Sequence, residues 1–292
     1  NIYKNNNMIE KQYDKNTNKI QEIAEEGIVR RIYERIRHYL RLGYLFIKFL
    51  PITICYPIIK LIPLPNFIHN MYWNVVVWTL ESSGPTFIKL GQWMSTRIDL
   101  FSIDFCNHMK RLHQSSKAHH FKHTKTTLKE VFEIDNLDEL FIEIDDKPVG
   151  SGCIGQVYHA KMYDENNNII DVAIKILHPH IAKSIRRDVR ILKNIAWLYN
   201  TVVPRYISKW VDMMDTIDQF IHLLQQQLDL RVEAENLIQF SKNFQHSKDI
   251  IFPKPLYPYV HENVLIETYE DGYTMNELIT THDHLNPLIA EK

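Results

Sequence analysis

Apolar residues fall at Ile28, Ile32, Ile36 and Leu40, a strict four-residue spacing that predicts an amphipathic helix within 21–41. From residue 28 onward, Arg30, Arg31, Arg35, Arg37 and Arg41 crowd that stretch, opposed only by Glu34. The pattern is an apolar stripe beside a cationic face. It runs into an apolar segment, Leu42 to Pro65, punctuated by Lys48 and Lys60 and by Pro51, Pro57, Pro63 and Pro65. A bilayer span needs about 20 mostly apolar residues. The longest run between the lysines, Phe49–Ile59, is shorter and holds two prolines, so the helix is expected to break there. This predicts an arm lying at a membrane interface rather than crossing it. The alternatives are a span rescued by snorkelling lysines and an arm packed on the rest of the protein.

Beyond the arm, residues 66–147 read as helical, with the Trp-containing run Met71–Leu80 and a later helix around Thr124–Phe132. Ser82-Ser83-Gly84-Pro85 marks a turn between them. The character changes after Pro148. Val157–Met162 and Ile169–Leu177 are β-favouring runs separated by Asp164-Glu165-Asn166-Asn167-Asn168, which predicts a hairpin with a polar loop. Helical patterns return over 181–200 and about 212–244. Val264-Leu265-Ile266 reads as a buried strand before the turn-prone Glu270-Asp271-Gly272.

Composition narrows this picture. The 292 residues are 45% hydrophobic, so global disorder is excluded, although residues 1–20, with six Asn and four Lys, read as a disordered tail. There are 34 Lys+Arg against 35 Asp+Glu, too little basic excess for a broad nucleic-acid surface. The balance is uneven, because residues 1–65 carry 11 basic and 6 acidic side chains. Cys55, Cys106 and Cys153 lie far apart with no C-x-x-C pair, so buried free thiols are expected rather than disulfides or a zinc site. No N-x-S/T sequon occurs, which weighs against secretion, and no secretory signal fits the apolar stretch. The chain begins with Asn, so it reads as processed or as a fragment.

The chemistry concentrates in two motifs. Gly150-Ser151-Gly152-Cys153-Ile154-Gly155-Gln156-Val157 fits G-x-G-x-x-G-x-V. A dinucleotide fingerprint needs a strand before the glycines and a helix after them; here β-pattern residues follow, as in the loop that kinases fold over nucleotide phosphates. Glycine suits that role because main-chain N–H groups can approach phosphate oxygens without a Cβ clash. Lys175, eighteen residues after Val157, ends Val172-Ala173-Ile174-Lys175, a V-A-I-K signature on the second strand of the hairpin. Its lysine would hold phosphates and needs an acidic partner. No glutamate lies between Lys175 and Glu233, so Glu233 or Glu235 is the candidate, and a helix over roughly 181–200 must be inserted relative to ordinary protein kinases.

With these residues in view, the chain resembles the UbiB/aarF-domain (ADCK) family of atypical kinases from about residue 35 to its end. Ser83-Gly84-Pro85-Thr86-Phe87-Ile88-Lys89-Leu90-Gly91-Gln92, extended by Ser95-Thr96-Arg97, resembles that family's K-x-G-Q segment. Ile176-Leu177-His178-Pro179 resembles the stretch after its lysine, and Gln227 to Asn236 resembles its E-x-D helix with the ion-pairing glutamate. The glycine-rich loop, where many members carry alanines, resembles the branch of the human aarF-domain kinase numbered two.

The resemblance implies an α+β fold, a kinase-like N-lobe preceded by a family-specific helical extension. It divides the chain into a tail at 1–20, a basic amphipathic and apolar arm at 21–65, the extension at 66–147, the N-lobe with its small antiparallel sheet at 148–269, and the start of a C-lobe at 270–292, the rest of which is missing. It implies catalytic roles for Lys175, Glu233 and Lys89. Gly150, Ser151, Gly152 and Gly155 would cover the phosphates of ATP or ADP, with Val157, Ala173, Lys175 and Gln92 also in the nucleotide site. Main-chain groups of Glu267 and Tyr269 would form the hinge that bonds adenine. Glu267 as an ordinary surface acid and Gln92 as a helix-face polar residue are the plainer alternatives. The implied partners are nucleotide, a membrane lipid surface and a lipid or lipid-enzyme complex, without nucleic acid, at the mitochondrial inner membrane in quinone-related lipid metabolism.

The sequence departs from the family in two places. Gln227 stands where the E-x-D glutamate is expected, and a neutral amide cannot replace a carboxylate in an ion pair, which leaves Asp229 as the charged candidate for Lys89. From Glu267 to Lys292 there is no H-x-D-x-x-x-x-N and no D-F-G, so Mg²⁺ is expected only with a longer chain, and His282-Asp283-His284 follows the hinge too closely to be a catalytic loop. A non-catalytic nucleotide- or lipid-binding adaptor is therefore the rival to an enzyme. His108, His113, His119, His120 and His123 form a cluster in which His119 and His123 have metal-ligand spacing, but the surrounding lysines and arginines favour a solvated loop.

Overall fold

The computed structural model describes residues 28–63, 65–113, 117–203 and 212–273. The Asn/Lys-rich tail, and the Asn276–Leu278 and His282–His284 stretches, lie outside them. The chain divides between Thr79 and Leu80 into two compact units.

In the first unit, α1 (Ile28–Leu61) is one continuous 34-residue helix that carries Pro51 and Pro57 inside it. This corrects the expected interruption. A proline removes one N–H and bends the helix, but it leaves the bonds on either side intact. The Thr53 hydroxyl donates to the Phe49 carbonyl at 3.0 Å, and the Tyr72 hydroxyl donates to the Ile52 carbonyl at 3.2 Å. Ile32–Leu61 is long and apolar enough to cross a membrane and is mostly exposed. Thirty residues of helix measure about 45 Å, more than the ~30 Å hydrocarbon core. Cys55 is exposed on this helix, whereas Cys106 and Cys153 are buried as expected. α2 (Asn66–Ser82) follows, with Trp73 buried and Trp78 exposed under the Lys48 ammonium.

In the second unit, α3 (Pro85–Ser95) starts after Gly84, whose φ of 100° is a conformation open to glycine and strained for other residues. α4 (Ile103–Met109) and a 3₁₀ turn (Lys110–His113) pack beside it. α5 (Phe121–Phe132) is capped by His120, whose ring accepts the Lys122 N–H.

The sheet has six antiparallel strands: β1 (Glu143–Ile144), β2 (Gly150–Ser151), β3 (Gly155–Tyr163), β4 (Ile169–Leu177), β5 (Pro255–Val260) and β6 (Val264–Thr268). The order is β1-β3-β4-β6-β5, with β2 on β3. The hairpin of β3 and β4 is as expected. Its turn is closed by Asp164, whose carboxylate accepts the Asn166 and Asn168 N–H groups at 2.8 Å. β1 already pairs with β3, so the sheet begins before Pro148.

Alternation sorts the two faces of the sheet. Tyr158, Ala160, Met162, Val172, Ile174, Ile176, Val264 and Ile266 turn to one side, where they form the core with Leu128 of α5 and with Leu137 and Phe141. Val157, Ala173, Lys175, Leu265 and Glu267 therefore share the opposite face. The inserted segment is a helix pair, α6 (Ile181–Val202) and α7 (Met213–Gln226), joined by a Lys193–Asp218 ion pair of 2.8 Å. The helix expected over 212–244 is broken after Gln226, and α8 (Leu230–Asn243) begins afresh at Asp229. That carboxylate caps it by accepting the Arg231 N–H at 3.1 Å.

Candidate functional site

The register aligns Val157, Lys175 and Leu265 in one cross-strand row and His159, Ala173 and Glu267 in the next. All six lie on the face away from the core, so alternation alone assembles them. α8 covers this face. Its first turn is fixed by the Asp229 cap and by the Leu230 N–H, which donates to the Glu262 carbonyl in the β5–β6 turn at 3.0 Å. Leu230 and Ala234 are buried, and the helix so placed brings Glu233 to Lys175. The Lys175 Nζ lies 2.5 and 2.6 Å from the two Glu233 carboxylate oxygens.

The glycine-rich segment forms the turn between β2 and β3, and its glycines divide into two kinds. A Cβ on Gly155 would lie 2.5 Å from the Ile176 carbonyl oxygen, so glycine is required there by the approach of β4. A Cβ on Gly150 would meet nothing within 4 Å, and one on Gly152 only the Gly155 carbonyl at 3.6 Å. The fold would accept side chains at 150 and 152. Their absence leaves open space beside the loop, the room a polyphosphate needs.

The Glu267 side chain lies on the same sheet face as Lys175. Its carboxyl is largely buried, and Oε2 has no hydrogen-bond partner among the described residues. Burial raises its pKa to about 7, with a further push from Glu233 that Lys175 partly offsets. Two carboxyl groups therefore face one ammonium in the floor of the site.

A family model for the ABC1 atypical kinase-like domain matches residues 111–289, more than half of the chain. The chain belongs to the ABC1 atypical kinase-like family. It is 33% identical over 224 residues to a probable serine/threonine-protein kinase of Dictyostelium discoideum, covering 77% of this chain and 32% of that protein. It is 37% identical over 218 residues to a mitochondrial ABC1 family protein of Saccharomyces cerevisiae, covering 71% and 33%. A probable protein kinase UbiB of Vibrio cholerae is 29% identical over 203 residues, covering 70% and 36%. The chain thus spans about a third of the length of these relatives.

The K-x-G-Q segment of this ABC1 chain separates into roles. A Cβ at Gly91 would press on the tip of the Leu112 side chain, which would have to shift, and the Gln92 amide donates to the Leu112 carbonyl at 2.8 Å. Gln92 thus anchors its own helix. Lys89 lines a cleft with Gln92, Trp93, Phe220, Leu223, Leu224 and Gln227. Among the described residues it has no ion-pair or hydrogen-bond partner. Its charge reaches the loop: burial raises the Cys153 thiol pKa, and the Lys89 ammonium partly counters that. Asp229, the expected charged contact for Lys89, bonds Arg231 instead, at 2.8 and 2.6 Å. Its role as cap ties it to the helix start.

The expected hinge narrows as well. The Tyr269 main-chain N–H donates to the Asp171 carbonyl at 3.1 Å, closing the β4–β6 ladder, so it is not available to a base. His119 is hydrogen-bonded to His178 and Thr124, and the His123 ring stands edge-on to it with centroids 6.2 Å apart.

Proposed function

We propose that the protein binds ATP or ADP between the glycine-rich loop and the Lys175–Glu233 pair, and works as an atypical kinase or ATPase supporting quinone-related lipid metabolism at the mitochondrial inner membrane. The Lys175–Glu233 contact beneath the loop carries the reading. A lysine held by a bidentate carboxylate presents its remaining charge at a fixed point, which suits the α/β-phosphates of a nucleotide. Open space at Gly150 and Gly152 supports the same reading, as does Lys89, a cation without a partner among the described residues. Mg²⁺ would enter with the metal-holding carboxylates of the whole protein, of which this chain spans only part. The mitochondrial relatives of two yeasts support the compartment. The length, apolarity and exposure of Ile32–Leu61 support a membrane anchor that carries Arg35, Arg37 and Arg41 in its N-terminal third. The test is nucleotide-induced thermal stabilisation of the full chain. ATP or ADP should raise the melting temperature of the wild type and not of Lys175→Ala; equal stabilisation of both would remove Lys175 from the site.

A second reading, a nucleotide- or lipid-binding adaptor without turnover, is favoured by Gln227, which leaves Lys89 without a carboxylate among the described residues. ATP hydrolysis by the whole protein, abolished by Lys175→Ala, would decide for the enzyme.

A further inference from the structure

One buried polar network in the second unit takes no part in the nucleotide reading, and it ends on the glycine-rich loop. His178 follows β4 directly. Its Nε2 lies 2.8 Å from the Gly152 carbonyl oxygen, and its main-chain N–H donates to the Ile154 carbonyl at 2.8 Å. A single residue thus grips the loop at two carbonyls, while the Gly152 N–H closes the turn onto the Gly155 carbonyl at 2.9 Å.

The other ring nitrogen of His178, Nδ1, lies 2.7 Å from Nδ1 of His119, with the rings nearly perpendicular at 83°. His119 Nε2 lies 2.9 Å from the Thr124 hydroxyl, and that hydroxyl lies 3.0 Å from the Tyr158 hydroxyl. The Gln156 amide donates to Tyr158 and also clasps the His119 backbone, accepting its N–H at 2.9 Å and donating to its carbonyl at 3.2 Å. Thr124, Gln156 and Tyr158 are buried.

With both rings neutral, proton counting sets the direction of this chain. A carbonyl accepts only, so His178 carries its proton on Nε2. A neutral His178 then presents a bare Nδ1, and the proton between the two rings belongs to His119 Nδ1. His119 Nε2 is left as an acceptor for the Thr124 hydroxyl, which is paired in turn with the Tyr158 hydroxyl, and Tyr158 accepts from Gln156. Every polar group is satisfied when both rings are neutral. Burial, then His178 and His123, lower the His119 pKa to about 4, which keeps that ring neutral at physiological pH.

We propose that His178 is a positioning residue for the glycine-rich loop, held in its Nε2–H tautomer by His119 and the Thr124–Tyr158–Gln156 chain behind it. Its consequence for ligand rests on the nucleotide reading above: a loop pinned at Gly152 and Ile154 keeps its N–H groups arrayed for phosphate before any nucleotide arrives.

Hydrogen–deuterium exchange on the full chain without nucleotide tests the clamp, and ATP and adenosine affinities test its consequence. His178→Phe should speed exchange across 150–156 by about tenfold, the cost of one well-placed hydrogen bond, and leave β4 and β6 unchanged. His178→Gln retains a donor near the Nε2 position and should restore slow exchange, whereas His119→Phe should loosen the loop. ATP affinity should fall about tenfold in His178→Phe while adenosine affinity holds. Unchanged exchange at 150–156 in His178→Phe, or equal acceleration through β3 and β4, would overturn the proposal. A wild-type chain that binds neither ATP nor ADP, yet shows the local exchange difference, would remove the nucleotide reading and leave the positioning role standing.

Discussion

Lys175 and Glu233 meet across 58 positions of sequence, their side chains 30% and 39% exposed. At that exposure an ion pair contributes at most about 1 kcal/mol to stability, so its value lies in where it holds the ammonium. Lys175→Met should therefore shift the unfolding midpoint by no more than a few degrees while abolishing ATP- or ADP-induced stabilisation. Calorimetry with and without nucleotide reads both numbers, and a large loss of intrinsic stability would mark the pair as structural instead.

The Glu267 carboxyl predicts a pH dependence. Its pKa rises from an ordinary 4.5 to about 7, chiefly by burial and then by Glu233. The folded protein thus keeps a proton that the unfolded chain gives up, so stability falls as pH rises from about 4.5 to about 7 and stays at the lower level above that. Glu267→Gln should flatten the slope and stabilise the protein above pH 7 by about 1–2 kcal/mol, a figure already discounted for solvent screening. Urea unfolding of both forms across that window checks it, and parallel curves would contradict it.

The loop glycines should respond oppositely to the same substitution. Gly155→Ala drives a Cβ against the Ile176 carbonyl oxygen and should cost about 1–3 kcal/mol of stability. Gly150→Ala and Gly152→Ala meet no backbone closer than ordinary contact, so stability should stay within about 0.5 kcal/mol while ATP affinity drops. If either of the latter two unfolds the protein, the space beside them is not free for ligand.

For α1, two measurements separate an anchor from a surface arm. The exposed, membrane-length helix should keep the protein in the pellet after alkaline carbonate washing of membranes. Replacing Arg30, Arg31, Arg35 and Arg37 with Gln should weaken co-flotation with anionic liposomes and leave neutral liposomes unaffected. Full release by carbonate would place the helix on the membrane rather than through it.

Much of this was legible in order along the chain because the determinants are local. The β3–β4 hairpin follows from alternation and an Asp/Asn turn, and Lys175 and the glycine-rich segment follow from motif spacing. What escaped was tertiary. The Glu267 side chain joins the site only through the β4–β6 register, and His178 finds His119 across 59 positions. Asp229 read as a partner for Lys89, whereas a carboxylate at a helix start is drawn to its own first-turn N–H groups. The breaks expected at Pro51 and Pro57 ignored how little of a long helix one missing donor removes. β5 was missed because Pro255 and Pro258 obscure its alternation.

Those prolines have a consequence for how the protein behaves in company. β5 is one border of the sheet, and its register slips between Pro255 and Val260. A strand arriving from another molecule would meet two prolines among six residues and an uneven ladder there. At the opposite border β1 offers only two residues. Among the described strands, neither flank is a ready template for strand addition from another molecule.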